Sequence, residues 1–451
     1  MRYRNAFWVV WILFTVWCVP SIVVADTGTA AEPLERLVAE ALEQNPQIRA
    51  ARSRWEAALA RIPQASALDD PMIGADVEGI PYSSRSIGNK YMDVEYMVSQ
   101  VIPFPLKLLV RHKEAARGAV MAEQEYQEVV RERLASVSVV YYDVYRLDRF
   151  IEINRGNQSL LQQFAQVAEA RYASGAGGQQ DVLKAQTEQA MLTNEGITLQ
   201  QERRSAVAQL NALLNRPVSQ TLEVSSLVSS SRLSTGVDAL LLAAEEQNPT
   251  IRAATARAEM ARAGLTLARM DYLPDFSTRL EARQFNEQSR IREYDVMLAV
   301  NVPVWSWWKQ RNAVREARAE FEAVEALSLD AKNTVAAMVQ DRFAKADAAQ
   351  RLVDVYQTVV LPKAEQALAS ARAGYEGGRV EFLSLLDAQR TLYEAQQAAE
   401  AARASLGQEM ARLEEVVGVA LSEISAMAVS ADTAPVPDHQ EETSSGKESL
   451  P

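Results

Sequence analysis

Residues 34–66 place Leu34, Leu37, Val38, Ala41 and Leu42, then Ile48, Ala51, Trp55, Ala58 and Ile62, at the spacing of one helix face. Pro71, Gly74, Gly79 and Pro81 break that pattern. From 91 to 101 the period drops to two, with Met92, Val94, Tyr96 and Val98 on one side and Asp93, Glu95, Met97 and Ser99 on the other. That alternation predicts a strand with one apolar and one polar face, close to the ten residues a tilted membrane strand requires. Residues 72–78 read as its weaker hairpin partner. A helical pattern then runs from 106 to 174 without a proline, turns at Gly175-Ala176-Gly177-Gly178, and resumes over 180–215.

The same order returns in the second half. Gln44-Asn45-Pro46-Gln47-Ile48-Arg49-Ala50-Ala51 recurs 203 residues later as Gln247-Asn248-Pro249-Thr250-Ile251-Arg252-Ala253-Ala254. Tyr172-x-x-Gly175 and Ala185-Gln186 recur at the same offset as Tyr375-x-x-Gly378 and Ala388-Gln389. A shared offset at both ends of a long stretch marks a tandem duplication. The repeats are 26–216 and 237–419, joined by a Ser/Thr-rich connector at 217–236, with a polar tail at 420–451 that reads as disordered. In the second repeat Phe276, Thr278, Leu280 and Ala282 pattern one strand of the 276–302 hairpin. Tyr294, Val296, Leu298 and Val300 lie opposite Asp295, Met297, Ala299 and Asn301 in the other. Helical patterns over 237–271, 308–376 and 381–417 complete it, with the turn at Gly377-Gly378. At 1.5 Å per residue each long helix spans about 105 Å, and the two shorter helices stacked end to end span nearly the same.

The predicted fold class is therefore mainly α with a membrane β-barrel portion. Four strands per chain cannot close a barrel, and open sheet edges are not tolerated in lipid. Three copies would pool twelve strands, enough to enclose a lumen, above a coiled-coil tube of long helices.

Composition agrees with few interruptions: 18 glycines and 16 prolines in 451 residues is sparse against the usual roughly 7% and 5%. The net charge of −12 argues against a nucleic-acid partner. Two histidines and one cysteine leave little for a metal centre or thiol chemistry, and no nucleophile, P-loop or dinucleotide motif occurs. The expectation is a non-enzyme without a cofactor. Met72, Met92 and Met97 could suggest copper, but Met92 and Met97 lie on opposite faces of the strand, so packing is the expected role. Arg2 and Arg4, the apolar run 7–19 and Val23-Val24-Ala25 have the layout of a signal peptide over 1–25, with a retained anchor as the alternative. Its removal leaves 45 basic against 59 acidic residues, a net −14. Pro103, Pro105 and Pro303 are expected to end strands and begin helices. Phe104, Trp305, Trp307 and Trp308 stand where an interfacial aromatic girdle would lie, or where rings would pack helix on barrel.

The duplication, the Gln-Asn-Pro starts, the Tyr-x-x-Gly tips and the Ala-Gln after each tip together resemble the TolC-type outer-membrane efflux family, over roughly residues 33–420. Residues 99–107, Ser-Gln-Val-Ile-Pro-Phe-Pro-Leu-Lys, further resemble a Gln-x-Ile-Pro-Phe-Pro-Gly-Lys segment of its heavy-metal resistance branch, with Leu106 in place of the glycine. The resemblance implies a homotrimeric outer-membrane channel joined by a periplasmic adaptor to an inner-membrane pump of the RND type. It also implies a periplasmic entrance constricted near the tips, where Asp387 matches an acidic gate position. Asp181 and Tyr375 match a pair that ties hairpins shut. The second acidic position is Ser384 here, and the arginine expected at 380 is Val380, with Arg379 one place early. Gly175, Gly177, Gly178, Gly378 and Val380 are the tip positions that would meet the adaptor. A periplasmic coiled-coil adaptor or tether that never spans the membrane is the alternative reading, and the two alternating hairpins argue against it.

Overall fold

The computed structural model describes residues 31–78, 93–224, 232–285 and 290–424. The leader 1–25, Gly79, Pro81 and Met92, part of the connector and most of the tail lie outside the described residues. Helices α1 (Leu34–Gln44) and α2 (Pro46–Ser66) precede strands β1 (Met72–Glu78) and β2 (Asp93–Ile102). Helices α3 (Pro105–Ala173) and α4 (Gln179–Leu213) end the first half. The second half runs α5 (Val237–Gln247), α6 (Pro249–Met270), β3 (Asp275–Phe285), β4 (Arg290–Asn301), α7 (Lys309–Val355), α8 (Leu361–Glu376) and α9 (Phe382–Val417).

The single helix expected over 34–66 is two helices, and the reason is local. A residue before proline is pushed out of the α region, and Asn45 sits at ψ 124° ahead of Pro46. Its Oδ1 then accepts from the backbone N–H of Gln47 at 2.9 Å and of Ile48 at 3.3 Å, which starts α2. Its side-chain amide reaches across to the Leu213 carbonyl at 2.8 Å. The second half repeats this at the same offset: Asn248 caps Ile251 at 3.0 Å and donates to the Val416 carbonyl at 2.6 Å. The buried neighbours correspond too, Leu37, Ala41 and Leu210 in one cluster matching Leu240, Ala244 and Leu413 in the other.

The long helix expected over 308–376 is also interrupted. A π-turn at Tyr356–Val360 precedes Pro362. Proline has no N–H and its ring crowds the carbonyl four residues back, so the chain widens by one residue there.

Helix α3 packs α2 and α4 on one side and α6 and α9 on the other, while α7 and α8 lie against α6 and α9. The described helices thus form a wall of four columns: α2 over α4, then α3, then α6 over α9, then α7 running into α8. Apolar side chains stay exposed on the outer columns, including Leu183, Met191 and Ile197 on α4 and Leu327, Leu329 and Leu352 on α7.

The strands form one antiparallel sheet in the order β1-β2-β3-β4. Its register aligns Ile73, Val98, Leu280 and Val296 in one row and Ala75, Tyr96, Ala282 and Tyr294 in another, which makes a continuous apolar face. The opposite face aligns Asp76, Glu95, Arg283 and Glu293, then Gly74, Met97, Glu281 and Asp295. Leu298 is 80% exposed and Val296 69%, so among the described residues the apolar face stays open along β4. The two outer edges, on β1 and β4, are unpaired among the described residues. No described helix is long and apolar enough to cross a membrane.

Candidate functional site at the helical tips

Both turns far from the sheet close with the same backbone bonds. Ala176 N–H donates to the Arg171 carbonyl and Gly175 N–H to that of Tyr172, at 2.9 and 3.0 Å. Arg379 to Gly374 and Gly378 to Tyr375 repeat this at 2.8 and 3.0 Å. This pattern needs a left-handed residue after the helix, supplied by Gly175 at φ 74° and Gly378 at φ 68°. The two turns differ in where they carry bulk. In the first, Arg171 on the helix faces Gly177 in the loop, whose added Cβ would lie 3.1 Å from the Arg171 Cβ. In the second the bulk is exchanged. Gly374 is on the helix and Val380 in the loop, and a Cβ at 374 would stand 2.5 Å from Val380 Cγ2.

Arg171 uses the space above the second turn. Its guanidinium lies 4.8 Å from the centre of the Tyr375 ring and donates to the Tyr375 carbonyl and, at 3.2 Å, to that of Ala176. One side chain therefore binds both turns. Tyr375 is buried against Phe382 at 5.2 Å, whereas its repeat counterpart Tyr172 is half exposed. The Tyr375 hydroxyl has no hydrogen-bond partner among the described residues. Burial pushes its pKa up, the Asp181 carboxylate adds to that, and Arg171 opposes it. Asp181 thus comes close enough for its charge to be felt, but within one chain no hydrogen bond joins the two expected partners. Asp387 is exposed and lines a groove of about 1030 Å³ between α4 and α9, together with Lys184, Glu188 and Arg390. Gly178 is the residue before α4, and Val380 is half buried over Gly374.

Deeper along the wall, polar side chains link three helices. Asn154 of α3 donates to the Leu192 carbonyl of α4 at 3.1 Å and to the Tyr393 hydroxyl of α9 at 3.3 Å. Gln389 reaches Asn157 at 2.8 Å. Burial pushes the Tyr393 hydroxyl well above the usual range. Further from the tips, Glu400 of α9 is buried, accepts from Tyr145 at 3.0 Å and pairs with Arg403 at 2.6 Å. In the amide orientation that satisfies both groups, Gln357 of the π-turn accepts from Arg403 at 3.0 Å. Sequence reasoning missed these layers. The available signal was amides and carboxylates at positions the helical period assigns to the interior.

At the sheet end, Pro103 is buried and Pro105 is the first residue of α3. Pro303 ends its strand but does not begin a helix, because α7 starts only at Lys309 after successive turns. The first repeat has Pro103-Phe104-Pro105, and the second has Trp305 where the helix-starting proline would stand. Trp305, Trp307 and Trp308 all project into the surroundings, Trp307 and Trp308 meeting edge to face at 5.9 Å, while Phe104 is half buried. The junction is pinned by Lys107, the last residue of the 99–107 segment, to which the sequence assigned no role of its own. It is 4% exposed and its Nζ lies 3.0 Å from Asp275 Oδ1, the same oxygen that accepts from Phe104 N–H at 2.9 Å. Among the described residues no group of three or more His, Cys, Asp or Glu could hold a metal ion.

A sheet with one apolar face and edges unpaired among the described residues, continued by columns that end in paired tips, is the build of a membrane channel with a helical extension. A model of the family described as outer membrane efflux protein matches residues 37–216 and 240–419, and the chain belongs to that family. It is 26% identical over 394 residues to the cobalt-zinc-cadmium resistance protein CzcC of Cupriavidus metallidurans, covering 83% of this chain and 90% of that one. It is 22% identical over 395 residues to the outer membrane protein TolC of Escherichia coli, covering 81% of this chain and 78% of that one. The solved outer-membrane channel OprN superposes with a TM-score of 0.75 at 19% identity, over 86% of this chain and 90% of that one, a likeness of fold. Membership of this family favours the channel over the adaptor or tether.

Proposed function

We propose that three copies of the chain close a twelve-stranded barrel in the outer membrane of a Gram-negative cell. They form the exit duct of a tripartite efflux system, receiving substrate from a periplasmic adaptor and an inner-membrane pump of the RND type. The observation that carries this is the sheet, whose apolar face is exposed and whose β1 and β4 edges are unpaired among the described residues. Lipid tolerates neither an open edge nor a polar outer face, so the strands must be completed by copies of themselves. The exposed apolar residues of α4 and α7, on the outer columns, support the same closure below the membrane, column against column. The conduit is passive and not an enzyme. Its mature start follows Ala25, and each repeat supplies one hairpin to the barrel.

In this assembly Trp305, Trp307, Trp308 and Phe104 form the girdle at the periplasmic boundary of the outer membrane. Gly175, Gly177, Gly178, Gly378 and Val380 meet the adaptor. Asp387, Asp181 and Tyr375 govern the aperture. Metal cations are the substrate class we favour, because carboxylates outnumber guanidiniums on the polar face of the sheet and a metal-resistance protein is among the relatives. The test is outer-membrane fractionation and planar-bilayer recording of the full chain. A heat-modifiable trimer band and stepwise conductance are expected. A monomer in the soluble periplasmic fraction would overturn the duct. Unchanged growth of a deletion strain on zinc, cobalt and cadmium would overturn the metal assignment alone.

A further inference from the structure

The duplication sets two opposite charges at one level of the tip groove. Lys184 and Asp387 are separated by the repeat offset of 203 and are the sixth residues of α4 and α9, which both rise from the tips. Both line the groove between those helices. About one turn further from the tips the signs cross over, with Glu188 on α4 and Arg390 on α9. The Arg390 guanidinium is held protonated first by Glu394 on its own helix, 2.9 Å away, and then by the charges of Glu188 across the groove and of Asp387. The groove walls therefore feel each other electrostatically, and the charges of Lys184, Asp387, Glu188 and Arg390 sum to zero.

We propose that Lys184 is a specificity-determining residue that cancels Asp387, so that the tip aperture has little charge preference of its own. Three acidic side chains gathered at one level would by themselves concentrate cations and repel anions. Three lysines at the same level remove that field within a Debye length, about 10 Å at 0.1 M salt. The duct's preference for cations is then set at the sheet end, where Asp76, Glu95, Glu281, Glu293 and Asp295 share one face with Arg279 and Arg283. The tips pass either sign. This inference rests on the duct reading, and its test separates the two.

The full-length chain is recorded in planar phosphatidylcholine bilayers under a KCl gradient, and the ratio of potassium to chloride permeability is read from the reversal potential. Lys184→Gln should raise the ratio about two- to four-fold, as expected for removing a unit charge several ångströms from the ion path in water. Asp387→Asn should lower it by a similar factor. The double variant should return it close to the wild-type value, since the two changes cancel. Lys184→Arg should keep the wild-type ratio, which a purely structural role for the side chain would not require. A Lys184→Gln ratio equal to or below wild type overturns the proposal. Absence of any conductance from the wild-type chain overturns the duct reading itself.

Discussion

The exchange of bulk between the two tips permits a sharp test at Gly374. Replacing it by alanine adds one methyl whose carbon would lie 2.5 Å from Val380 Cγ2 and 3.2 Å from Val380 Cβ. Carbon atoms prefer about 3.5–4.0 Å, so the loop carrying Val380 has to move. Overpacking of this kind costs about 1–3 kcal/mol. Against this, alanine is favoured over glycine in a helix by about 1 kcal/mol. The net is a loss of about 1 kcal/mol, or about five-fold in the opening equilibrium of the turn. Two amides report that opening directly, Gly378 to the Tyr375 carbonyl and Arg379 to the Gly374 carbonyl. Hydrogen exchange followed by mass spectrometry on the tip peptide should therefore speed up about five-fold in Gly374→Ala. The second half of the test changes the sign. In a Val380→Gly background no side chain stands over position 374, and the same alanine should now slow exchange through its helix propensity. If Gly374→Ala acts in the same direction in both backgrounds, the knob-and-hole account of the tip is wrong.

Three further expectations follow from the geometry. Asn45→Ala and Asn248→Ala each remove a helix cap, worth about 1 kcal/mol, and strip the amide partner from a carbonyl, worth about 1–2 kcal/mol more. Denaturant titrations should give the two losses within about 0.5 kcal/mol of each other, and a difference above about 1 kcal/mol would break the claimed equivalence of the halves. Lys107→Met leaves Asp275 without its main counter-charge. Because Asp275 is 31% exposed, the expected loss is about 1–3 kcal/mol, below the value for a fully buried pair, read from the melting of the helical signal. An unchanged melting temperature would refute the role of Lys107 as a pin. Glu40 has its pKa lowered from 4.5, chiefly by its hydrogen bond to Arg216. A carboxylate with a depressed folded pKa contributes stability that is present above the unfolded value and lost as pH falls through the folded one. The melting temperature should thus decline as pH drops below about 4.5. Arg216→Met should flatten that decline, and a parallel decline in both proteins would count against the pair.

The sequence by itself determined the elements and their order, because each rests on short-range pattern. Period two placed the hairpins, the helical period placed the long helices, and the offset of 203 joined the halves. Even the 69-residue length of α3 was legible, since between its bounding turns no proline interrupts it after Pro105. Errors came where one residue type competes with a pattern. Asn45 ahead of Pro46 divides a helix that looks continuous in its apolar stripe, and the π-turn before Pro362 does the same more gently. What only the tertiary structure decided were contacts between residues far apart in the chain. The pairing of Lys107 with Asp275 spans 168 positions, that of Arg171 with Tyr375 spans 204, and that of Glu400 with Tyr145 spans 255. No local periodicity encodes which carboxylate a buried lysine will meet. That choice depends on how four columns stack side by side, and so on the packing of whole helix faces rather than on any one segment.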